Sequence, residues 1–336
     1  MVDPVDWHRK GKLAMTILVT GSMGHVGFEV VRQAVARNHR VIAAHRGTFR
    51  ARDAEALGSN VTWVRADLAD EAAIAAIGDT HAIGGVIHSA AIPNDNAARP
   101  DPLGAVRSNV GGVASLLEQA RRHGWRRFVN VSTGSVFQNA PDPVTPIRED
   151  QVPAVTNIYS TTKYCGELLT DMYRSQFDVS AATVRISWVY GPPLVPRIRD
   201  NPRGPIPWFL RCALTGVPVQ DPAGNDFLAS YTHVSDVAAG LLAAYEAETL
   251  RHSVYHLGWG KNFSTAEVVR AVRAAVPKAM ISVGPGTAPW TDHTRMRGPL
   301  AGDRLLEDTG FEPSLDLDKG VASFADWMRG HEGEWR

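Results

Sequence analysis

The chain has 336 residues, 44% of them hydrophobic and 21% charged, which is the composition of an ordinary globular protein with about two domains. Its formal net charge of zero gives no general attraction to nucleic acid or to an anionic membrane, so we expect neither as a partner. Two cysteines are too few for a disulfide framework, and with no C-x-x-C or H-E-x-x-H motif we expect a reduced, metal-free cytoplasmic protein.

The first fourteen residues contain charges but no apolar run after them. We therefore interpret residues 1–14 as a flexible tail rather than a signal peptide. No later segment is apolar for long enough to span a membrane.

Short β-branched runs then alternate with segments of helical periodicity. Strands are predicted at 16–20, 40–45, 61–68, 84–91, 126–132 and 180–187, and helices at 25–38, 70–77, 101–124 and 159–176. This alternation predicts an α/β fold with a Rossmann-type, doubly wound parallel sheet over residues 15–190, which would be the dinucleotide-binding domain. The proline- and arginine-rich stretch that follows predicts a smaller C-terminal substrate-binding lobe. We assign 191–228 and 259–330 to that lobe, with 229–258 returning to the sheet domain.

A glycine-rich turn joins the first predicted strand to the first helix. Gly21, Gly24 and Gly27 have the spacing G-x-x-G-x-x-G. Glycine permits the tight bend, the approach of backbone to a pyrophosphate, and close packing of helix on strand. The N–H groups and the positive dipole end of the helix would then face the phosphates. The place of this turn in the chain predicts a dinucleotide site.

The end of the second strand bears on the identity of the dinucleotide. NAD-binding proteins usually carry an acidic residue there for the ribose hydroxyls, whereas this chain has His45 and Arg46. An arginine can pair with a 2′-phosphate, so the sequence slightly favours NADP over NAD, unless Arg46 is only a solvated charge. Asp67, after the third strand, is interpreted either as an acceptor for the adenine amino group or as a helix N-cap.

Tyr159 and Lys163 lie four residues apart in "YSTTK", which places both side chains on one face of the predicted helix. An unperturbed tyrosine has a pKa of about 10, too high for a base at neutral pH. A neighbouring lysine ammonium would favour the phenolate. Tyr159 could then take a proton from a substrate hydroxyl as hydride leaves for a nicotinamide.

Eight motifs occur in an order and spacing typical of one enzyme family. They are "TGSMGHVG", "RADL", "HSAA", "SNVGG", "VSTGSVF", "YSTTK", "RISWVYGPP" and "YTHVSDVA". On these motifs the chain from about residue 15 to 329 resembles an extended short-chain dehydrogenase/reductase of the NAD-dependent epimerase/dehydratase type. The resemblance implies a doubly wound sheet with a small substrate lobe, an NAD(P) cofactor and a homodimer built on two long helices of each subunit.

The resemblance also implies roles for individual residues. Tyr159 would be the acid/base, Lys163 its activator and a ligand of the nicotinamide ribose, and Thr133 would bond the reacting oxygen. Asn109 would support a proton relay or only pin the long helix. The implied cofactor-binding residues are Gly21, Met23, Gly24, His25, Val26, Gly27, His45, Arg46, Asp67, Leu68, Ser89, Ala90, Ala91, Asn109, Tyr159, Lys163 and Ile186.

Two departures from the family pattern concern the substrate. In sugar-nucleotide 4,6-dehydratases the threonine is followed by Asp-Glu, the acid and base for elimination of water, whereas here Gly134 and Ser135 follow Thr133. Without those carboxylates, dehydration has no evident catalyst. Many nucleotide-sugar enzymes also carry a diphosphate-binding arginine at the position of Ala229, and its loss weakens the case for a nucleotide sugar.

The small lobe is otherwise basic and aromatic. The residues expected to bind substrate are Pro93, Thr133, Ser135, Arg197, Arg203 and Trp208. Arginine suits a carboxylate or phosphate and tryptophan suits a sugar face, although a solvated loop would have the same composition. Arg295 and Arg297 could add positive charge. His88 and His233 are interpreted as core histidines.

The leading hypothesis is therefore an NAD(P)-dependent oxidoreductase. It would move hydride between the cofactor and a secondary alcohol or ketone of a small sugar-derived or polyhydroxylated molecule. The alternatives are a nucleotide-sugar epimerase that holds NAD tightly and a non-catalytic NAD(P)-binding module.

Overall fold

A parallel sheet of seven strands forms the centre of the larger part of the protein. The computed structural model describes residues 16–47, 54–139, 142–291 and 294–336, so the predicted tail at 1–14 lies outside the described residues. The described strands are β1 (Thr16–Thr20), β2 (Arg40–His45), β3 (Val61–Arg65), β4 (Gly85–His88), β5 (Arg127–Thr133), β6 (Ala181–Ile186), β7 (Trp188–Tyr190), β8 (Val219–Asp221), β9 (Leu228–Ala229), β10 (Tyr231–His233), β11 (Val254–Leu257), β12 (Phe263–Ser264) and β13 (Ile281–Val283).

The large sheet has the strand order β3-β2-β1-β4-β5-β6-β11, and each neighbouring pair is parallel. The first six strands follow the order of the Rossmann fold, which confirms the predicted fold class. Because the order reverses between β1 and β4, a crevice opens at the carboxyl ends of these two strands. In open α/β sheets a ligand binds at such a point.

Helices cover both faces of this sheet. The described helices are α1 (His25–Ala36), α2 (Glu71–Thr80), α3 (Asp95–Ala98), α4 (Pro102–Val106), α5 (Gly112–His123), α6 (Ile158–Phe177), α7 (Pro205–Thr215), α8 (Val234–Glu246), α9 (Thr265–Ala275), α10 (Asp303–Thr309), α11 (Leu317–Gly330) and α12 (Glu332–Trp335). None of these helices is both long and apolar enough to cross a bilayer.

Alternate residues of each strand point to opposite faces of the sheet, so the strands supply two cores. Ile17 and Val19 of β1 pack with α1 and α8 on one face, whereas Leu18 packs with α2 and α5 on the other. The strands are apolar on both faces because both faces are covered, which explains their near-continuous β-branched sequence.

The long helix predicted at 101–124 is divided in the structure. It consists of α4, a π-helical segment Arg107–Gly111 and α5, which ends at Gly124 in the left-handed region. The Asp101 side chain caps its start by accepting a hydrogen bond from the amide of Gly104. A π segment widens the helix by one residue, and here it turns Asn109 inward.

The second part of the protein has its own core. Helices α7, α9 and α11 supply its centre, with Phe209 and Phe324 fully buried. Three two-stranded sheets adjoin it, formed by β7 with β10, β8 with β13 and β9 with β12. Strand β11 returns to the large sheet beside β6, as the sequence predicted for the segment around residues 253–258.

Candidate active site

A cavity of about 780 Å³ lies along the carboxyl edge of the large sheet and is closed on one side by the small lobe. Its wall contains the glycine turn, the ends of β2, β4 and β5, the first turn of α6, and the loop that precedes α7. This is the cavity expected at the reversal of strand order between β1 and β4.

Most of the residues predicted from the sequence line this cavity. Those on its wall are Gly21, Met23, Gly24, His25, Val26, Gly27, His45, Arg46, Asp67, Leu68, Ser89, Ala90, Ala91, Pro93, Thr133, Ser135, Tyr159, Lys163, Ile186 and Arg203. Three predicted residues, Asn109, Arg197 and Trp208, are not on its wall. The cavity therefore joins the predicted cofactor residues to the predicted Tyr–Lys pair.

The glycine turn has the close packing that the spacing predicted. Gly21 has φ of +65°, and a methyl group on it would lie 2.7 Å from the Cα of Ala90. A methyl group on Gly27 would lie 2.2 Å from the carbonyl oxygen of Gly21, so helix and turn touch backbone to backbone. Gly24 is the N-cap of α1, and it has no side chain to cap the helix. The N–H groups of the first turn are thus left for an anion in the cavity.

His25, in the same turn, connects the two lobes. Its Nε2 lies 2.9 Å from the carbonyl oxygen of Gly191, at the start of the small lobe. Burial lowers the pKa of His25 to about 3, and the nearby Arg203 guanidinium acts in the same direction. His25 is therefore neutral and donates its Nε2 proton to that carbonyl.

Arg46, which directly follows β2, lies beside Asp67. Arg46 is exposed, and its Nη1 lies 3.7 Å from Oδ2 of Asp67. The alternative of Asp67 as a helix N-cap is wrong, because Asp70 caps α2 by accepting from the amide of Ala73. Asp67 instead accepts a hydrogen bond from the amide of Ala69 and faces the cavity.

Tyr159 lies at the other end of the cavity. Asn157 caps α6 in a capping box with Ser160, which places Tyr159 in the first turn of the helix. The side chain of Thr133, at the end of β5, lies beside the Tyr159 hydroxyl and favours its ionised form, which lowers its pKa. Thr133 Oγ1 also accepts from the amide of Ser135, which holds its orientation.

The charges that act on Tyr159 differ from the expectation. Burial raises the pKa of Tyr159 above its ordinary value, and Thr133 and the guanidinium groups of Arg203 and Arg297 oppose that rise. The sequence had assigned this stabilising role to Lys163. Here the guanidinium groups that favour the phenolate belong to Arg203 and Arg297 of the small lobe, and the role of Lys163 stays a prediction.

Lys163 is buried one turn further along α6. Burial lowers its pKa to about 8, and the carboxylate of Glu167 partly offsets that effect. Glu167 is itself held in a buried network. It accepts from Arg185 with a nitrogen–oxygen distance of 2.7 Å and from the hydroxyl of Ser132 at 2.5 Å. The network therefore joins α6 to β5 and β6 behind the cavity.

Asn109 is not on the wall of the cavity. It accepts from the amide of Ile92 at 2.7 Å and donates to Thr162 Oγ1 at 3.0 Å. Asn109 thereby fastens the loop after β4 to helix α6. Of the two interpretations offered by the sequence, this geometry favours the one in which Asn109 pins the helix.

The basic segment of the small lobe divides into structural and cavity residues. Arg199 pairs with Asp221, and its guanidinium lies 4.4 Å from the ring centre of Trp290. Arg197 is exposed to solvent, and Trp208 packs against the lobe core. Of the substrate arginines predicted before α7, Arg203 is the one on the cavity wall.

The sequence did not single out several polar and aromatic residues of the cavity wall. Trp188 is on the wall and stacks on Tyr231, with ring centres 5.6 Å apart. Gln138 is also on the wall and accepts from Asn157 at 3.2 Å. Trp188 lies in the motif "RISWVYGPP", which was the available signal. Nothing in the sequence around Gln138 marked it.

The residues present fit a dinucleotide. The uncapped helix start and the backbone contacts at Gly21 and Gly27 suit a pyrophosphate, and the exposed Arg46–Asp67 pair suits the adenosine end. No group of three or more metal-binding side chains occurs within the described ranges.

Comparisons with known proteins agree with this geometry. The family model of the NAD-dependent epimerase/dehydratase family matches residues 17–258. The chain belongs to this family. It is 26% identical to a UDP-glucose 4-epimerase of Erwinia amylovora, over 94% of this chain and 98% of that protein. It is also 26% identical to a dTDP-glucose 4,6-dehydratase of Streptomyces antibioticus, over 96% of this chain and 94% of that protein.

The fold is also similar to that of a solved structure. The crystal structure of UDP-glucose 4-epimerase from Thermus thermophilus in complex with NAD superposes with a TM-score of 0.81. The two chains are 24% identical, and the match covers 94% of this chain and 100% of that one. The similarity of fold therefore extends through the small lobe.

Replacement of Glu167 tests the buried network. Glu167→Ala leaves the buried Arg185 guanidinium without its carboxylate, and we expect a loss of about 3–5 kcal/mol in the free energy of unfolding. Urea denaturation measures this loss. Glu118→Ala is the control, because Glu118 also pairs with an arginine but on the surface, and little change is expected. Equal effects of both changes would contradict the assigned role of the network.

Three buried histidines and the half-buried His25 predict how stability depends on pH. Burial lowers the pKa of His25, His88 and His256 to about 3 and that of His233 to about 4. Below about pH 6.5 the unfolded chain binds protons that the folded chain excludes. Each histidine should therefore cost about 1.4 kcal/mol per pH unit as pH falls from 6.5 toward 4.

Urea denaturation between pH 7.5 and 4.5 checks this expectation. His88→Gln removes one of the four groups. The slope of the unfolding free energy against pH should therefore fall by the contribution of one proton, about 1.4 kcal/mol per pH unit. An unchanged slope in the variant would show that His88 does not contribute.

Proposed function

We propose that the protein is an NAD(P)-dependent oxidoreductase acting on a secondary alcohol or ketone of a sugar-derived substrate. One observation carries the proposal. Tyr159 and Thr133 lie on the wall of the same cavity as the uncapped glycine turn. This arrangement supports proton transfer to a substrate oxygen beside a bound dinucleotide.

In the proposed reaction, different residues of the cavity have different roles. A bound nicotinamide would accept hydride from the substrate carbon or return it. Thr133 and Tyr159 hold the substrate oxygen, and Tyr159 takes or gives its proton. The guanidinium groups of Arg203 and Arg297 stabilise the phenolate formed when Tyr159 loses its proton. Lys163 supplies a buried amine at the nicotinamide end, held by Glu167.

Dehydration has no support at this site. The cavity wall carries the carboxylates of Asp67 and Asp95 within the described residues. Asp67 is beside Arg46, and Asp95 accepts from Arg99 at 2.9 Å. Neither acts on Tyr159. The position after Thr133 is Gly134, so no acid is placed next to the reacting oxygen.

A nucleotide-sugar epimerase is the second candidate. The observation in its favour is that relatives matching nearly the whole chain are UDP-glucose 4-epimerases. The absence of a side-chain cation at Ala229, which lies on the cavity wall, counts against it. The two candidates differ in whether cofactor leaves after each turnover. Cofactor that copurifies and resists dialysis favours the epimerase, whereas freely exchanging cofactor favours the oxidoreductase.

A homodimer stays a prediction. Leu103 and Leu168 are 70% and 54% exposed on α4 and α6. Apolar side chains on these helices support an interface there.

The Tyr159→Phe variant tests the proposed acid/base. It removes the hydroxyl but keeps the ring, so turnover should fall by about 10³-fold while NADH and NADPH affinities change by less than about twofold. Steady-state kinetics and fluorescence titration measure the two quantities. Tyr164→Phe is the control, because Tyr164 is on the same helix but packs against Phe137 and Ile147. Turnover that survives in Tyr159→Phe would exclude this residue as the acid/base.

Arg46 tests the identity of the dinucleotide. If Arg46 pairs with a 2′-phosphate, Arg46→Ala should weaken NADPH by about tenfold or more and leave NADH unchanged. Fluorescence titration of cofactor-stripped protein gives both constants, and NADH is the internal control. Tighter binding of NADH than NADPH by the unchanged protein would contradict the NADP preference.

A further inference from the structure

Two guanidinium groups, those of Arg203 and Arg297, face the cavity without a carboxylate to neutralise them. Within the described residues neither arginine is in a salt bridge, and neither side chain has a hydrogen bond to a protein acceptor. Each acts on the hydroxyl of Tyr159. Both are partly buried and belong to the small lobe.

Other arginines that are wholly or partly buried are paired. Arg185 donates three bonds to the carboxylate of Glu167. Arg127 donates to Ser180 and to the carbonyl oxygen of Ala247. Arg199 pairs with Asp221. Because a desolvated charge is costly unless an opposite charge or acceptors compensate it, an unneutralised pair at a cavity indicates a site for an anion.

The burial of the two guanidinium groups also supports an anion site. Burial lowers the pKa of Arg297 to about 10 and also lowers that of Arg203. An anion placed between them would restore the usual values, since an opposite charge favours the charged form.

The Arg297 guanidinium lies close to the backbone of Gly134. A methyl group on Gly134 would lie 3.1 Å from Nη2 and 3.4 Å from Nε of Arg297. The guanidinium therefore lies over the backbone immediately after Thr133. Where a dehydratase carries an acidic side chain, this chain carries a cation from the small lobe, and the charge beside the reacting oxygen is reversed.

We propose that the substrate carries a carboxylate on the carbon next to the reacting alcohol or ketone, and that Arg203 and Arg297 bind this carboxylate. The proposal rests on the oxidoreductase function above. Arg203 and Arg297 are on the wall of the cavity that contains Tyr159, and the Arg297 guanidinium lies beside the backbone that follows Thr133, so an anion held by them lies close to the reacting oxygen. A carboxylate attached to the neighbouring carbon would occupy such a position. The diphosphate of a neutral nucleotide sugar is attached further away.

The planar fork of arginine also matches a carboxylate. Guanidinium donates two parallel bonds to the two oxygens of one carboxylate, and such contacts fix its orientation. With the carboxylate held, the adjacent hydroxyl is directed to Tyr159 and Thr133. The substrate class is thus a sugar acid.

Binding of matched acid and neutral probes tests the proposal. NAD(P)-loaded protein is titrated calorimetrically with D-gluconate, with its neutral counterpart D-glucitol and with D-glucitol 6-phosphate. A second set contains UDP-glucuronate and UDP-glucose, so that a free and a nucleotide-linked acid are compared. We expect each carboxylate to bind at least tenfold more tightly than its neutral counterpart.

Substitutions assign the effect to the two arginines. Arg203→Gln and Arg297→Gln should each weaken the acid probes by about tenfold to a hundredfold, without changing the affinity for the neutral probes or for NADH. Arg297→Lys keeps the charge but not the fork, and should lie between. Arg270→Gln is the control, because Arg270 is on the outside of the small lobe, paired with Asp318, and makes the same change of charge. Circular dichroism verifies folding of each variant.

Three results would overturn the carboxylate site. They are equal binding of acid and neutral probes, preference for the phosphate probe, and a loss of acid binding in Arg270→Gln as large as in Arg297→Gln. If the arginines only stabilise the Tyr159 phenolate, Arg297→Gln shifts the pH profile of turnover and leaves acid binding unchanged, which also overturns it. Failure of the proposed function is distinct. In that case cofactor copurifies and resists dialysis, or neither NADH nor NADPH binds to stripped protein, whatever the acids do.

Discussion

One buried ion pair, Glu167 with Arg185, holds the active-site helix on the sheet. Both side chains are 3% exposed, so their charges are compensated almost wholly by each other and by Ser132 and His256. The pair joins α6 to β5 and β6 in one layer of bonds. Thr133 ends β5 and Tyr159 lies in the first turn of α6, so their relative position depends on this junction. A network of this kind contributes position more than stability, since desolvation offsets much of the attraction.

Much of the sheet could be predicted from the sequence because its pattern is local. Bounds such as 16–20 and 40–45 follow from β-branched runs between turn residues, and the structure has the same limits. The division of the helix at 101–124 was not predictable in this way. A π segment has no composition of its own, and this one contains Asn109, which accepts a hydrogen bond from Ile92 in the loop after β4.

The candidate site shows the same division between local and long-range signals. Motif residues such as Gly21, Tyr159 and Lys163 lie on the wall of one cavity, as their places in the motifs predicted. The environment of Tyr159 was not found, because it depends on two arginines that are distant in the chain. Arg197 and Arg203 lie six residues apart in one basic segment, and only the fold places one on the cavity wall and the other in solvent.

The hydrogen bond from His25 to Gly191 has a consequence for engineering. The acceptor is a backbone carbonyl of the small lobe, but the donor belongs to the glycine turn of the sheet domain. Gly191 itself has φ of +122°, and a methyl group there would lie 2.9 Å from Nε2 of His233. The lobe is therefore not an interchangeable module. A chimera that joined this sheet domain to a small lobe with a different loop at residue 191 would keep His25. It would lose the carbonyl oxygen that accepts the hydrogen bond of His25. A transplanted lobe would have to keep a loop that places a carbonyl oxygen where that of Gly191 lies.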